Sequence, residues 1–435
     1  MSADGPAYLA AACRAAADVP GLAALRARAR PVRRVAVVGG GTMGRDIAFV
    51  HLVAGHDVVL READAARLDA AVDAVRGHVR RRVARGDATA GQGEALLARL
   101  TPTLADAPVA GCDLLIEAVV ERLDVKREVL GRLAPLLAPD ALVASNTSTL
   151  PIGALAEAVP RPERVLGLHF FSPARVMRLV EVVRAAGTGD AAAAAALAHV
   201  QAVGKVPVLV GDCYGFVSNR LSMAYFAEAT ALLDEGASPA EVDAALVAFG
   251  MPMGPLTMSD MAGVDISHLA QPGLRAAYGP RARRSPIVER LYALGRHGQK
   301  AGRGYYRYAP GAGGHAERSP DPEVDALLAE LRAARGVTPR RIPPDEVVAR
   351  VLYVTANEGA RCLEEGIARS PGDVDVVMAL GFGFPAARGG LMRHVDDVGP
   401  AAVVAALESW GARARADDDR ARYAPAGWLR ARATG

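Results

Sequence analysis

Residues 35–48 read VAVVGGGTMGRDIA. An apolar run meets the triplet Gly39-x-Gly41-x-x-Gly44 and passes straight into a helical pattern, the order that a dinucleotide-binding βα turn requires. Gly39 permits the tight turn, Gly41 lets the backbone approach a pyrophosphate, and Gly44 lets helix meet sheet. Thr42 and Met43 lie between them at a helix start, where free N–H groups and the dipole favour an anion. After a second strand, DVVLR, Glu62 arrives about 20 residues beyond the glycines. Its carboxylate suits the adenosine ribose hydroxyls and repels a 2′-phosphate, so NAD is expected over NADP. A glycine-rich turn alone is a weak signal; strand, spacing and acid together make it specific. Asp46, placed in the first helical turn, is expected to point its charge outward, away from the phosphates.

Beyond this turn, short β-branched runs alternate with Ala/Leu/Arg stretches: DLLIEAVV, ALVAS, RVLGLHF, MRLVEVV and KVPVLVGD. Alternating strands and helices imply an α/β, doubly wound parallel sheet of Rossmann type over 32–213. Residues 1–31 read as an Ala/Arg connector helix with no apolar core ahead of a cleavage site, so no secretory signal is expected there. After about Cys213 the strands are expected to stop and helical patterns to take over. These patterns occur twice, over 214–310 and 345–435. Glu235-Gly236 match Glu365-Gly366, Asp243 matches Asp375, and Gly250-Met251-Pro252 match Gly383-Phe384-Pro385. Ordered landmarks of this kind favour duplication over convergent composition. Residues 311–344, with a Gly/Pro-rich start, read as an exposed linker.

Composition narrows the function classes. The 435 residues are 51% hydrophobic and 23% charged, without an uncharged apolar run long enough for a membrane span. A net charge of +3 with interspersed Arg, Asp and Glu and only 5% aromatics argues against nucleic acid. Cys13, Cys112, Cys213 and Cys362 form no CxxC pair or Cys/His cluster, which suits a reducing cytoplasm and no metal site. Lys and Arg total 51, yet only Lys126, Lys205 and Lys300 are lysines. A lysine kept against such a bias is expected where a compact ammonium fits and a planar guanidinium does not.

His169 ends the strand RVLGLH, at the edge where open α/β sheets bind ligands. Twelve residues later Glu181 interrupts the apolar strand MRLVEVV, an expensive position unless a donor meets it. Paired, the two give an imidazole of fixed tautomer suited to removing a hydroxyl proton. A satisfied strand-end histidine and a solvent-facing glutamate remain the alternative.

The runs IEAVVERLDVKREV, SNTSTLPI, HFFSPARVMRLVEVV, DCYGFVSNRL, GMPMGPLTMSDMAGVD and GQKAGRGYYRY together resemble the L-3-hydroxyacyl-CoA dehydrogenases, over residues 5 to 430. The likeness is greatest to the dehydrogenase half of multifunctional β-oxidation enzymes, which carry two helical C-terminal domains. It implies reversible NAD-dependent oxidation of an (S)-3-hydroxyacyl thioester, with His169 as base and Glu181 orienting it. By the same resemblance Ser148 contacts the substrate oxygen or nicotinamide ribose, and Asn219 holds the thioester or 3-oxygen. Val119, Val120 and Glu121 pass near the cofactor, and Lys126 reaches its ribose or the substrate. Plain structural roles remain for three of these: an N-cap for Ser148, a helix-start polar residue for Asn219, a surface charge for Lys126. Ser172 and Asp46 depart from many members, which carry Asn and Gly there. The same chemistry on an acyl-carrier-protein-bound or other small hydroxyacyl substrate fits the residues as well. A non-catalytic NAD-binding scaffold is the alternative of another class. One-copy relatives dimerise through the helical domain, so two copies in one chain imply a monomer with an internal pseudo-twofold, a dimer remaining possible.

Overall fold

The structure is a computed structural model that describes residues 4–311, 316–414 and 417–434. The chain divides into two compact units: residues 8–216 with 366–381, and residues 217–365 with 382–435 and the segment up to Ala7.

The first unit is built on eight strands: β1 Arg34–Val38, β2 Asp57–Arg61, β3 Leu100–Thr103, β4 Leu114–Glu117, β5 Leu142–Ser145, β6 Val165–Phe170, β7 Leu179–Arg184 and β8 Val206–Gly211. Their order is β3-β2-β1-β4-β5-β6-β7-β8. All neighbours run parallel except β6 and β7, which are antiparallel, so the sheet is mixed where the sequence implied a parallel one. Strand β3, LTPT, is half exposed, and its Pro102 is tolerated at the sheet edge. It lacks the apolar signature of the inner strands. Val35, Val37, Leu60, Leu114 and Ile116 from the sheet pack with Ile47, Leu52 and Leu197 from the covering helices to form the core.

The N-terminal segment forms two helices, Gly5–Ala17 and Ala23–Ala27, not one. Pro20 lacks an amide hydrogen and Gly21 takes φ +84°, which together break the run. Residues 366–381, within the second helical copy, belong to the nucleotide unit. The Tyr8 hydroxyl donates to Asp375 at 2.7 Å, and the Gly211 amide to the Ile367 carbonyl at 2.8 Å.

Three histidines lie buried between the helices Thr42–Val53 and Asp190–Ala202. His51 Nδ1 donates to the Ile47 carbonyl at 2.8 Å, leaving Nε2 to accept from His199 Nε2 at 3.0 Å, while His56 Nδ1 donates to the His51 carbonyl at 3.2 Å. Burial lowers His51 to about 4 and holds His199 well below its ordinary value. An unfolded imidazole binds a proton below about pH 6.5, but the folded His51 does so only near 4. Stability is therefore complete above pH 6.5 and is lost as pH falls toward 4, by on the order of 3 kcal/mol for His51 alone. Urea midpoints at pH 7.5, 6 and 5 should fall in that order. A His51→Gln/His199→Gln chain whose midpoint shows the same slope would refute this account.

In the second unit the helices Ser218–Glu235 and Pro344–Glu364 pack along each other, and their contacts are reciprocal. Arg220 Nε meets Glu358 Oε1 at 2.9 Å, and Arg350 Nε meets Glu228 Oε1 at 2.6 Å. Arg220 also bonds Glu365, as Arg350 bonds Glu235. A Cβ on Gly250 would lie 2.9 Å from Pro385, and one on Gly383 would lie 2.6 Å from Pro252. Pairs of this form, i with j′ and j with i′, are the mark of a twofold relation. The second copy replaces Ser218 and Asn219 by Val348 and Ala349 but keeps the arginine as Arg350.

Strands do not stop at Cys213. β9 Tyr306–Pro310, at the end of the first helical copy, pairs antiparallel with β10 Ala316–Pro320, near the start of the stretch read as a linker. Tyr306 anchors the pair, donating its hydroxyl to Asp243 at 2.8 Å. Asp321 then caps the helix Pro322–Ala334, which buries Val324 and Leu328, so much of 311–344 is ordered structure. Residues 312–315, near the start of that linker, lie outside the described residues, as do residues 1–3 of the connector.

Candidate active site

Strands β1, β4, β5 and β6 run parallel, so the segments that follow them leave the same edge of the sheet. The order reverses between β1 and β4, which makes that edge a switch point of the kind that receives ligands.

After β1, Gly39 has φ +102°, and a Cβ there would lie 2.6 Å from the Ala118 carbonyl oxygen. Gly44 allows helix to touch turn: a Cβ would sit 1.8 Å from the Gly39 carbonyl oxygen. Gly41 caps the helix Thr42–Val53 and faces open space, with no atom within 4 Å of where its Cβ would be. A bare cap in front of a helix N-terminus is the cradle a pyrophosphate needs. Thr42 is exposed at the helix start, and Met43 packs back against the core. Glu62 Oε2 accepts from the Gly40 amide at 2.8 Å, which brings this carboxylate against the glycine turn. These residues fit a dinucleotide.

Asp46 is the exception to the sequence reading. It is the fifth residue of its helix and only 2% exposed, so its side chain points inward. One cation and one imidazole offset this: Arg175 Nη1 donates to Oδ2 at 3.0 Å, and His78 Nε2, on a ring that burial keeps from taking up a proton, lies 3.0 Å from Oδ1.

After β4, Val119, Val120 and Glu121 pass over a buried ion cluster. Lys126 is 1% exposed and directs its ammonium at Glu117 Oε1 (2.8 Å), Glu121 Oε2 (3.2 Å) and the Val119 carbonyl (3.3 Å). It lies beneath the loop, and neither the surface charge nor a side chain open to the cleft describes it. Glu117 also accepts from the Val119 amide at 2.6 Å and the Ser145 hydroxyl at 2.6 Å. Sequence reading passed over Glu117, although a carboxylate ending the apolar strand LLIE carries the signal that singled out Glu181.

Glu121 Oε1 accepts from the Thr147 hydroxyl at 2.7 Å, the Ser148 amide at 2.9 Å and the Ser148 hydroxyl at 3.3 Å. Burial alone would raise its pKa, but Lys126 and these donors hold it below the usual carboxylate value. Lys126, Glu121 and Ser148 thus form one chain of contacts from beneath β4 to the loop after β5.

His169 and Glu181 are register partners across the antiparallel pair β6 and β7, so both side chains project from the same face. Nδ1 lies 2.8 Å from Glu181 Oε2. A carboxylate only accepts, so Nδ1 carries the proton and Nε2 is left with its lone pair. Glu181 is fully buried, and the rings of Phe171 and Phe216 stand 4.6 and 5.9 Å from the imidazole. Asn146 fixes the same strand end by accepting the Phe170 amide at 2.9 Å. Such an imidazole can take a proton from a hydroxyl or return one to a carbonyl oxygen. Asn219 belongs to the other unit, second in the helix Ser218–Glu235, where its carbonyl accepts from Ser222 at 3.0 Å.

The family description "3-hydroxyacyl-CoA dehydrogenase, NAD binding domain" matches residues 34–213, and that of the C-terminal domain matches 215–308 and 347–434. The chain belongs to the 3-hydroxyacyl-CoA dehydrogenase family. Its first matched region is that family's NAD-binding domain, and the family is one of NAD-dependent oxidoreductases. The peroxisomal bifunctional enzyme of Cavia porcellus is 37% identical over 88% of this chain and 54% of its own length. This chain spans about half the length of the curated relatives it matches. The structure of 3-hydroxybutyryl-CoA dehydrogenase from Escherichia coli K12 superposes with TM-score 0.80 at 30% identity, over 93% of this chain and 99% of that one. The dehydrogenase part of multifunctional enzyme 1 from C. elegans gives 0.65 at 28% identity, over 93% and 90%. Among the described residues no group of His, Cys, Asp and Glu has the makings of a metal site, and no helix is long and apolar enough to cross a membrane.

Proposed function

We propose that this chain interconverts (S)-3-hydroxyacyl-CoA and 3-oxoacyl-CoA thioesters with NAD, with His169 as the general base. The observation that carries the reading is the 2.8 Å contact of His169 with a fully buried Glu181 at the ligand-binding edge of a sheet whose glycine turn fits a dinucleotide. When bound, the nicotinamide supplies the hydride acceptor or donor. Glu181 keeps the Nδ1 proton in place, His169 Nε2 takes the 3-hydroxyl proton in oxidation, and the same atom returns it in reduction. Ser148 and Asn219 are assigned to hold the substrate oxygens, and Lys126 and Glu121 to fix the loop that carries Ser148. Gly41 and the helix after it receive the pyrophosphate, and Glu62 the ribose. The chain is read as a monomer whose two helical copies cover each other. A reducing compartment such as the cytoplasm suits four cysteines that form no disulfide, while the matched curated relatives are named as peroxisomal.

Acetoacetyl-CoA and NADH test this directly. NADH oxidation should be substrate-dependent and far faster than with NADPH, because Glu62 repels a 2′-phosphate. Glu62→Ala should narrow that ratio by about tenfold. Equal kcat/KM for the two cofactors in the wild type would remove the role given to Glu62, and no turnover with either would remove the function.

A further inference from the structure

Asp46 places a carboxylate where a dinucleotide site should avoid one. Four residues into the helix, at 1.5 Å per residue, it stands only about 6 Å along the axis from the end that receives the pyrophosphate. It is buried, so water does not screen it. Its neutralising partner comes from elsewhere in the unit: Arg175 sits in the segment between β6, which ends at His169 and Phe170, and β7, which carries Glu181. That segment is held from a second side by Lys205, whose ammonium donates to the carbonyls of Ala174 at 2.6 Å and Met177 at 2.7 Å. His78 completes the surroundings of Asp46, and Arg81 donates to its other ring nitrogen.

We propose that Arg175 is a positioning residue that acts on cofactor affinity through Asp46: it cancels a buried negative charge behind the pyrophosphate cradle and ties the nucleotide-binding helix to the segment linking His169 and Glu181. The pair forms one electrostatic unit, and the affinity of the site for a dianionic cofactor is set by the sum of the two charges. Removing the cation and removing the anion must therefore have unequal effects. A carboxylate without its cation, about 10 Å from the phosphates at an effective dielectric constant near 20, weakens anion binding by on the order of tenfold per unit of phosphate charge, so tenfold is the least expected. Loss of the carboxylate leaves no such repulsion.

The inference rests on the NAD site, which turnover of acetoacetyl-CoA by the unmodified chain tests separately, so failure of one is distinguishable from failure of the other. The experiment is NADH titration by fluorescence with the full chain and three variants. Arg175→Met should weaken NADH binding about tenfold or more at low salt, and Asp46→Asn should stay within about twofold of the wild type. The double variant should return to within about twofold, and binding of adenosine, which carries no phosphate, should be unchanged in all three, whereas a merely structural role for Arg175 would weaken both ligands. Where Arg175→Met does not fold, Arg175→Gln, which keeps a donor toward Oδ2 without the charge, reads the same comparison. Wild-type affinity in the single Arg175 variant overturns the proposal. So does a double variant as weak as the single one, since Arg175 would then act on the cofactor directly.

Discussion

Replacement of His169 by Gln should lower kcat for acetoacetyl-CoA reduction by about 100-fold or more while leaving NADH affinity nearly unchanged. The register of β6 and β7 sets imidazole against carboxylate with Nδ1 2.8 Å from Oε2. Gln can still donate to Glu181, so the substitution avoids an unpaired buried carboxylate, and its amide cannot carry a proton to or from the 3-oxygen. The loss is therefore one of chemistry, readable in kcat and in single-turnover rates. Glu181→Gln should act in the same direction and less completely, because the imidazole keeps its ring nitrogens but loses the anion that fixes its tautomer and stabilises its charged form. Retention of most activity by His169→Gln would place the base elsewhere and withdraw the proposed role.

Much of this site is legible in the sequence because its parts contradict their surroundings. A carboxylate in the strand LVEVV needs a donor, and a histidine at a neighbouring strand end supplies one. Three lysines among 48 arginines carry the same kind of signal, and all three ammonium groups work at close quarters. Lys126 is enclosed by two glutamates, Lys205 donates to two carbonyls, and Lys300 bonds Asp265 at 2.7 Å beside the tight turn at Gly263. What the sequence hides is partnership across long separations. Local reasoning sends Asp46 to solvent, because Arg175 and His78 lie 129 and 32 residues away and nothing in the motif announces them. Strand β3 escapes for a different reason: an edge strand need not be apolar on either face. The hairpin of β9 and β10 escapes because glycine and proline mark a turn and an exposed linker alike.

Arg220→Met and Arg350→Met should each destabilise the helical unit by about 2–3 kcal/mol, and by nearly equal amounts. Each guanidinium is essentially buried and serves two carboxylates, Arg220 those of Glu358 and Glu365, Arg350 those of Glu228 and Glu235. Burial would raise the Glu228 carboxyl, yet Arg350 and Arg422 hold it below its ordinary value, so the charges are settled only while the cations stay. Removal of either arginine leaves its glutamate with fewer cations, Arg422 for Glu228 and Arg281 with Arg361 for Glu358, so the cost is similar on both sides if the two copies are related by a twofold. The tether between copies supplies a high effective concentration, so the interface needs no second chain and the expected state is a monomer with one NAD per chain. Cutting near residue 315 should then cost solubility, since the helix Ser218–Glu235 would expose Arg220, Glu228 and the apolar face that now packs on Pro344–Glu364. It would also strip Asp375 from Tyr8 in the nucleotide unit. Unfolding free energies of the two arginine variants, from urea titration, that differ by several kcal/mol would deny the twofold its energetic meaning. A soluble, active, monomeric 1–315 fragment would be more damaging, because it would show that the second copy covers nothing the first copy needs covered.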